Sequence, residues 1–561
     1  MTTRAVMLAG ALIASAIAAA AQPAPQSAVP SDSEIRQILI DRIDAQHQSV
    51  GIVVGVIGPE GRRIVAYGHL EKGDPRPLNG DTVFEIGSAT KVFTSLLLAD
   101  MVQRGEAALD DPVAKYLPPG AKMPGRNGRS ITLVDLSTHT SGLPRLPTNM
   151  TPKDAANPYA DYSVEQLYQF LSGYQLPRDI GSQYEYSNLG GGLLGHVLAR
   201  RAGMDYEALV RSRICDPLGM NDTRITLTPE MKARLAAGHN QALDTVANWD
   251  LPTLAGAGAL RSTANDLLTF LAANLGYTKS PLAPAMAAML KVRRPTGQPT
   301  LEVALGWHIF TTNGKEIIWH NGGTGGYRSF MGFDPKTRIG VVALSNAETT
   351  AGVDDIGRHL LDAGVPLMKS HKEIAVDPKL FDSYAGRYEL APGLVMNITR
   401  EGDLLMAQLT GQPKVELFAE GERDYFVKVV DVQISFMTGT DGHATEIVVH
   451  QNGRDTHSKR IGDAAPPKEH KEVTVDPKLF DGYVGRYQFA PNVVLAVTRD
   501  GTHLFAQLTG QANFEIFPEG ERDYFYKVVD AQITFVTDGS GRATELILHQ
   551  NGFDQHAKRV D

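Results

Sequence analysis

Apolar and polar residues alternate in short runs at two widely separated places in this chain. Gly51 to Val56 and Arg63 to His69 are β-rich and flank the turn residues Gly58-Pro59-Glu60-Gly61, which predicts an antiparallel hairpin. A second meander is predicted far downstream. Its strands are Val303 to Phe310, Glu316 to His320, Phe330 to Phe333 and Ile339 to Leu344, with turn signals at Asn313-Gly314 and Asp334-Pro335. Helical patterns fill the space between. Strands at both ends with helices in the middle predict an α+β domain: one antiparallel sheet, completed by the early hairpin, flanked by helices and carrying a helical subdomain.

From about Glu373 the pattern changes and then repeats. Asp377-Pro378-Lys379-Leu380-Phe381 returns 99 residues later as Asp476-Pro477-Lys478-Leu479-Phe480, and Gly421-Glu422-Arg423-Asp424-Tyr425-Phe426 as Gly520-Glu521-Arg522-Asp523-Tyr524-Phe525. Each copy shows about eight short β-rich runs, such as Val493 to Thr498 and His503 to Leu508, which predicts a small closed antiparallel eight-stranded β-barrel. A barrel of this size is expected to be filled by its own side chains. Neither copy shows a nucleophile-and-base constellation in its sequence, so both are read as shaping access rather than doing chemistry.

The N-terminus adds an address. Arg4, the apolar run Ala5 to Ala21 and then Gln22-Pro23-Ala24-Pro25 form a secretory signal, residues 1–21, followed by a linker, 22–34. Export to the periplasm is expected, with no further membrane span in the mature chain. The remaining boundaries are 35–370 for the α+β domain, 371–462 for the first barrel and 463–561 for the second with its leading linker.

Charge excludes some functions. The 54 basic and 63 acidic residues leave a formal net charge of −9, with no basic field for nucleic acid. The single cysteine, Cys215, is read as a packed residue rather than a nucleophile. The 16 histidines show no zinc-type spacing, so neither a metal nor a cofactor is expected. Oligomeric state is not legible.

Four stretches carry candidate chemistry. In Gly87-Ser88-Ala89-Thr90-Lys91, ahead of an apolar helical run, the three-residue spacing places Ser88 and Lys91 on one face of a helix start. Serine is a poor nucleophile without a base, and a lysine serves if burial and nearby cations depress its pKa. Unpaired N–H groups at the helix start suit a developing oxyanion. Standing alone, such a tetrapeptide is a common capping serine and surface lysine. His139, in a short helix stopped by Gly142 and Pro144, is read as fixing a loop by hydrogen bonds. Tyr186 and Asn188 precede Gly190-Gly191-Gly192, read as a tight loop entering a helix from Leu193. Tyr186 is open to two roles, stacking or, with a lysine stabilising its phenolate, a base. His320-Asn321-Gly322-Gly323 ends a predicted strand, where glycine admits the close approach of another backbone or a substrate.

Taken together, Ser88-x-x-Lys91, Tyr186-x-Asn188 and His320-x-Gly322 resemble the penicillin-recognising serine hydrolases: class C β-lactamases, D-Ala-D-Ala carboxypeptidases, D-aminopeptidases and related esterases. The similarity also runs through Leu109 to Pro118, the His139 segment, Asp216 to Met220 and Gly258 to Thr263. It implies a β-lactamase/transpeptidase-like fold, with the C-terminal copies resembling lipocalin-like modules. By that resemblance Ser88 is the acyl-accepting nucleophile, and Lys91 and Tyr186 move its proton. Asn188, His320 and Gly322 contact the substrate, and the N–H groups of Ser88 and Gly323 form the oxyanion hole. Histidine at 320 departs from the lysine usual in β-lactamases. The resemblance therefore implies a peptidase or amidase on small or D-configured peptides, from cell wall or linear natural products. β-Lactamase, carboxylesterase and an acylated, non-turning-over β-lactam receptor or wall-binding protein are the alternatives.

Overall fold

A computed structural model describes residues 29–561 apart from 313, 369–370, 372, 392–393, 411, 413, 429–431, 452–453, 465–469, 491–492, 510–512, 528–530 and 551–552. The expected signal segment 1–21, linker residues 22–28 and Asn313 of the predicted turn lie outside the described residues. Among the described residues no helix is long and apolar enough to cross a membrane.

The predicted sheet has eight strands. Its order from the hairpin edge is Gly61–Gly68, Gly51–Gly58, Ile339–Ser345, Arg328–Asp334, Lys315–Gly323, His308–Thr312, Leu301–Val303 and Arg294–Pro295, antiparallel throughout. The early hairpin closes the late meander through pairs such as Ile52 with Ser345. Strand Gly51–Gly58 reads as a nearly unbroken apolar run because both of its faces are covered. Val53 and Ile57 join the main core. Ile52, Val54 and Val56 join a second cluster with Ile35 and Leu39 of helix Asp32–Ile40 and Ile356 and Leu360 of helix Asp354–Leu361.

Helix Thr90–Gln103 runs through the main core, buried from Thr90 to Met101, so its sequence shows no polar face. Two expectations about its surroundings are corrected. The run Val303 to Phe310 is not one strand: a turn at Ala304–Trp307 breaks it, with Ala304 N–H donating to the Trp307 carbonyl at 2.7 Å. Gly306 there has φ 69° and faces the helix, where a Cβ would meet Ser95 Oγ at 2.7 Å and the Lys91 carbonyl at 2.8 Å. The second correction concerns the glycines after Asn188. They are helical, not a loop, since helix Asn188–Ala202 starts at once behind the capping Ser187, whose Oγ accepts the Gly190 N–H. These glycines serve packing instead: a Cβ on Gly191 would meet Lys91 Cε at 3.0 Å and one on Gly192 would meet Leu254 at 2.7 Å.

Each C-terminal copy is a closed antiparallel barrel of eight strands, from Gly386–Ala391 to Arg454–Gly462 and from Gly485–Ala490 to Phe553–Arg559. Their interiors are filled by matching side chains: Tyr388, Tyr425 and Phe436 in the first, Tyr487, Tyr524 and Phe535 in the second. Cys215 is buried, and desolvation pushes its thiol up to about 12, which leaves it unreactive.

Candidate active site

Backbone contact brings the candidate site together. Gly87 opens a single 3₁₀ turn, Gly87–Ala89, with φ 48°, and a Cβ on it would meet Gly323 N at 2.7 Å. Gly322 sits against the Ile86 carbonyl, which a Cβ there would meet at 1.9 Å, and Ser329 Oγ donates to the same carbonyl at 2.7 Å. Only glycine permits this approach. The close contact expected at Gly322 is thus made by the Ile86 backbone, and it sets the end of strand Lys315–Gly323 beside Ser88.

Lys91 is 2% exposed, one turn after Ser88. Its Nζ lies 3.0 Å from Ser88 Oγ, 2.9 Å from Asn188 Oδ1 and 2.7 Å from the Ala257 carbonyl. Burial, and then the charge of Arg145, hold its pKa well below the ordinary lysine value. A neutral amine has two N–H bonds and one lone pair. With two carbonyl acceptors taking the N–H bonds, the lone pair is left for the Ser88 hydroxyl proton.

Burial raises the Tyr186 pKa far above that of an ordinary phenol, with the Ser88 hydroxyl acting in the opposite direction. Of its two open roles, the phenolate base is therefore disfavoured. The ring rests on His139 at a centroid distance of 4.5 Å, with Lys91 Nζ at 4.8 Å and the Arg145 guanidinium at 5.3 Å. His139 has φ 57°; its carbonyl accepts the Glu185 N–H at 2.8 Å and its Nδ1 accepts the Ser187 N–H at 3.1 Å. It pins the loop carrying Tyr186, the role expected of it. Burial first, then Lys91, His308 and Arg145, keep it neutral.

Asn188 spans the pocket, its Oδ1 on Lys91 and its Nδ2 donating to Tyr159 Oη at 3.2 Å. His320 is 1% exposed and contacts the Asn321 carbonyl through Nδ1 at 2.6 Å, which places the proton on Nδ1. Its Nε2 is then a buried lone pair without a partner. Burial, His308 and Lys91 hold the ring neutral. The structure thus joins Ser88, Lys91 and Asn188 by direct contact through Lys91 Nζ, with the Tyr186 ring centroid 4.8 Å from that nitrogen and His320 and Gly323 beside them.

Sequence reasoning missed three participants. His308 accepts or donates at 3.0 Å to the Tyr184 hydroxyl and lies 5.1 Å from the His320 ring; burial and then Lys91 push it down to about 4. Its only signal was a histidine inside what read as a continuous strand. The Ala257 carbonyl, from helix Ala255–Gly258, gave none at all. Arg145, directly after the stop at Gly142 and Pro144, was the readable one.

The barrels hold a constellation that the sequence did not show. Ser435 Oγ lies 3.0 Å from His450 Nε2, whose Nδ1 lies 2.7 Å from Asp455 Oδ1. The second barrel repeats it with Thr534, His549 and Asp554. The expectation of no nucleophile-and-base grouping is corrected in composition but not in chemistry. Ser435 Oγ donates its proton to Asp424 Oδ1 at 2.6 Å, so the hydroxyl is directed at a carboxylate rather than at the imidazole. Among the described residues no cluster of three or more His, Cys, Asp or Glu side chains is arranged to hold a metal ion.

Residues 37–364 match the Beta-lactamase family, and residues 370–460 and 469–560 each match a Domain of unknown function (DUF3471). The D-alanyl-D-alanine-carboxypeptidase/endopeptidase AmpH of Escherichia coli K12 is 33% identical over 340 residues, covering 58% of this chain and 86% of its own. Penicillin-binding protein 4* of Bacillus subtilis is 27% identical over 453 residues, covering 76% of this chain and 98% of its own. Among solved structures, a class C β-lactamase from Rhodobacter sphaeroides superposes with a TM-score of 0.51 at 26% identity, covering 59% of this chain and 97% of that one.

Proposed function

Because the chain belongs to the beta-lactamase family, we propose that it is an exported serine hydrolase working through an acyl-enzyme on small or D-configured peptides. The observation that carries this reading is the contact of buried Lys91 Nζ with Ser88 Oγ at 3.0 Å. Lys91 takes the hydroxyl proton as Oγ attacks the substrate carbonyl carbon, and the carbonyl oxygen becomes an oxyanion facing the N–H groups of Ser88 and Gly323. The proton then passes to the leaving nitrogen, relayed through the Tyr186 hydroxyl, as the C–N bond breaks. Water attacks the Ser88 ester with the same base, releasing the acid and restoring the serine.

The peptidase reading within the family draws support from the carboxypeptidase/endopeptidase name of the Escherichia coli relative and from histidine at position 320. The division into a catalytic region 35–370 and barrels 371–462 and 463–561 is part of the proposal, as is export through residues 1–21. A panel of a chromogenic cephalosporin, a short-chain ester, D-amino-acid amides and D-Ala-D-Ala peptides tests the substrate class. Turnover of the peptides above the cephalosporin and ester supports it, and the reverse order replaces it with a β-lactamase or esterase. Stoichiometric acylation without turnover would make the chain a receptor.

A further inference from the structure

We propose that Arg145 binds a carboxylate of the substrate, carried on the part of the molecule that lies beside Asn188. This inference rests on the acyl-enzyme reading above and adds to it the charge of the substrate's acyl portion.

Position comes first. The Arg145 carbonyl accepts the N–H groups of Asn188 at 3.0 Å and Leu189 at 3.1 Å, so its backbone is locked to the first turn of the helix that supplies Asn188. Its side chain is exposed and lies over the Tyr186 ring, 5.3 Å from the centroid. From there its charge acts on Lys91, His139 and Tyr159.

No carboxylate among the described residues pairs with it. Arg328, beside Gly323 on the strand side, is bound to Glu348 at 2.6 Å, and buried Arg261 to Glu85 at 3.0 Å. Arg145 thus presents an uncompensated, planar guanidinium at the site, the group best matched to a carboxylate held by two parallel bonds. The strand side offers no such charge. With its proton on Nδ1 and directed at Asn321, His320 presents a buried lone pair, which accepts an N–H or O–H and repels a carboxylate oxygen. An anion in this cleft therefore meets its complement beside Asn188, not at His320.

The test compares two esters of the full-length protein's hydrolysis reaction: N-succinyl-D-alanine p-nitrophenyl ester and its counterpart with the succinyl carboxylate methylated. Both leave the same phenol, and only one carries a charge on the acyl part. Their kcat/KM ratio cancels any change in Lys91 protonation common to both. Wild type is expected to favour the charged ester, Arg145→Gln to lower the ratio at least about tenfold, and Arg145→Lys to keep part of it. A wild-type ratio near one, or a ratio unmoved by Arg145→Gln, overturns the assignment of Arg145. Absence of turnover of both esters together with absence of a phosphonate adduct on Ser88 would instead overturn the acyl-enzyme reading, and this inference with it.

Discussion

Lys91 Nζ lies 3.0 Å from Ser88 Oγ, and its two other hydrogen bonds run to oxygens, Asn188 Oδ1 and the Ala257 carbonyl, that have no proton to give. With burial favouring the free amine of Lys91, the pair has one direction of proton transfer open, from serine to lysine. Replacing Lys91 by methionine keeps the bulk in a buried position and removes the base, so kcat/KM for a neutral ester should fall about 10²- to 10⁴-fold. Steady-state kinetics on a variant with an unchanged circular dichroism spectrum checks this.

The same geometry fixes the sign of the pH dependence. Lys91 has its pKa depressed by burial and by Arg145, and it works as the free amine. Activity should rise with pH through that depressed pKa, well below the ordinary lysine range. Tyr186→Phe keeps the ring on His139 but loses the phenolic hydroxyl proposed as the proton relay. Its rate should fall while the rising limb stays where it was, because the limb belongs to Lys91. A limb that disappears in Tyr186→Phe would assign the titration to the tyrosine.

His320 is held neutral by burial, His308 and Lys91, with His139 adding to the same effect and the Asn321 carbonyl opposing it. The ratio of kcat/KM for a free-acid peptide to that for its amide should therefore be flat between about pH 6 and 8, the range in which an ordinary histidine titrates. A ratio falling across that range would show a protonated His320 reading the carboxylate.

Gly322→Ala puts a Cβ at 1.9 Å from the Ile86 carbonyl, a backbone atom fixed by Ser329. Forcing the strand away from the Ser88 turn should cost about 3 kcal/mol and most of the activity. Gly173, by contrast, has nothing within 4 Å of an added Cβ. Gly173→Ala should leave melting temperature and kinetics near wild type, and thermal melts of the two variants make the comparison.

One antiparallel sheet completed by the early hairpin was legible because turn residues mark the hairpin and corners of the meander, and the run Gly51–Gly58 is apolar on both faces. The break at Gly306 was not, since Val303 to Phe310 has strand composition throughout and only the helix packed beneath demands the turn. The glycines after Asn188 misled for the opposite reason. They look like a loop, but they lie in the helix that Ser187 caps, and they are glycine because Lys91 and Leu254 leave no room for a Cβ. Motif residues stood out through their spacing, whereas His308 and Ala257 enter through tertiary contacts that no local pattern encodes. Ser435, His450 and Asp455 were invisible for the same reason: they meet only across neighbouring strands of a barrel.

That barrel grouping gives a further expectation. With its hydroxyl donating to Asp424 rather than to His450, Ser435 is not set up as a nucleophile, so Ser435→Ala should leave ester hydrolysis unchanged. Ending the chain after residue 370 should likewise leave Ser88 acylation by a small ester intact, while selectivity between small and large substrates shifts. Loss of acylation in a folded truncation would place part of the chemistry in the barrels.

The most direct measurement is intact-mass analysis of the protein treated with a fluorophosphonate, followed by peptide mapping of the adduct. One adduct, on Ser88, absent from Ser88→Ala and slowed in Lys91→Met, is the predicted result. An adduct that persists in Ser88→Ala, or one that maps to Ser435 or Thr534, would contradict it.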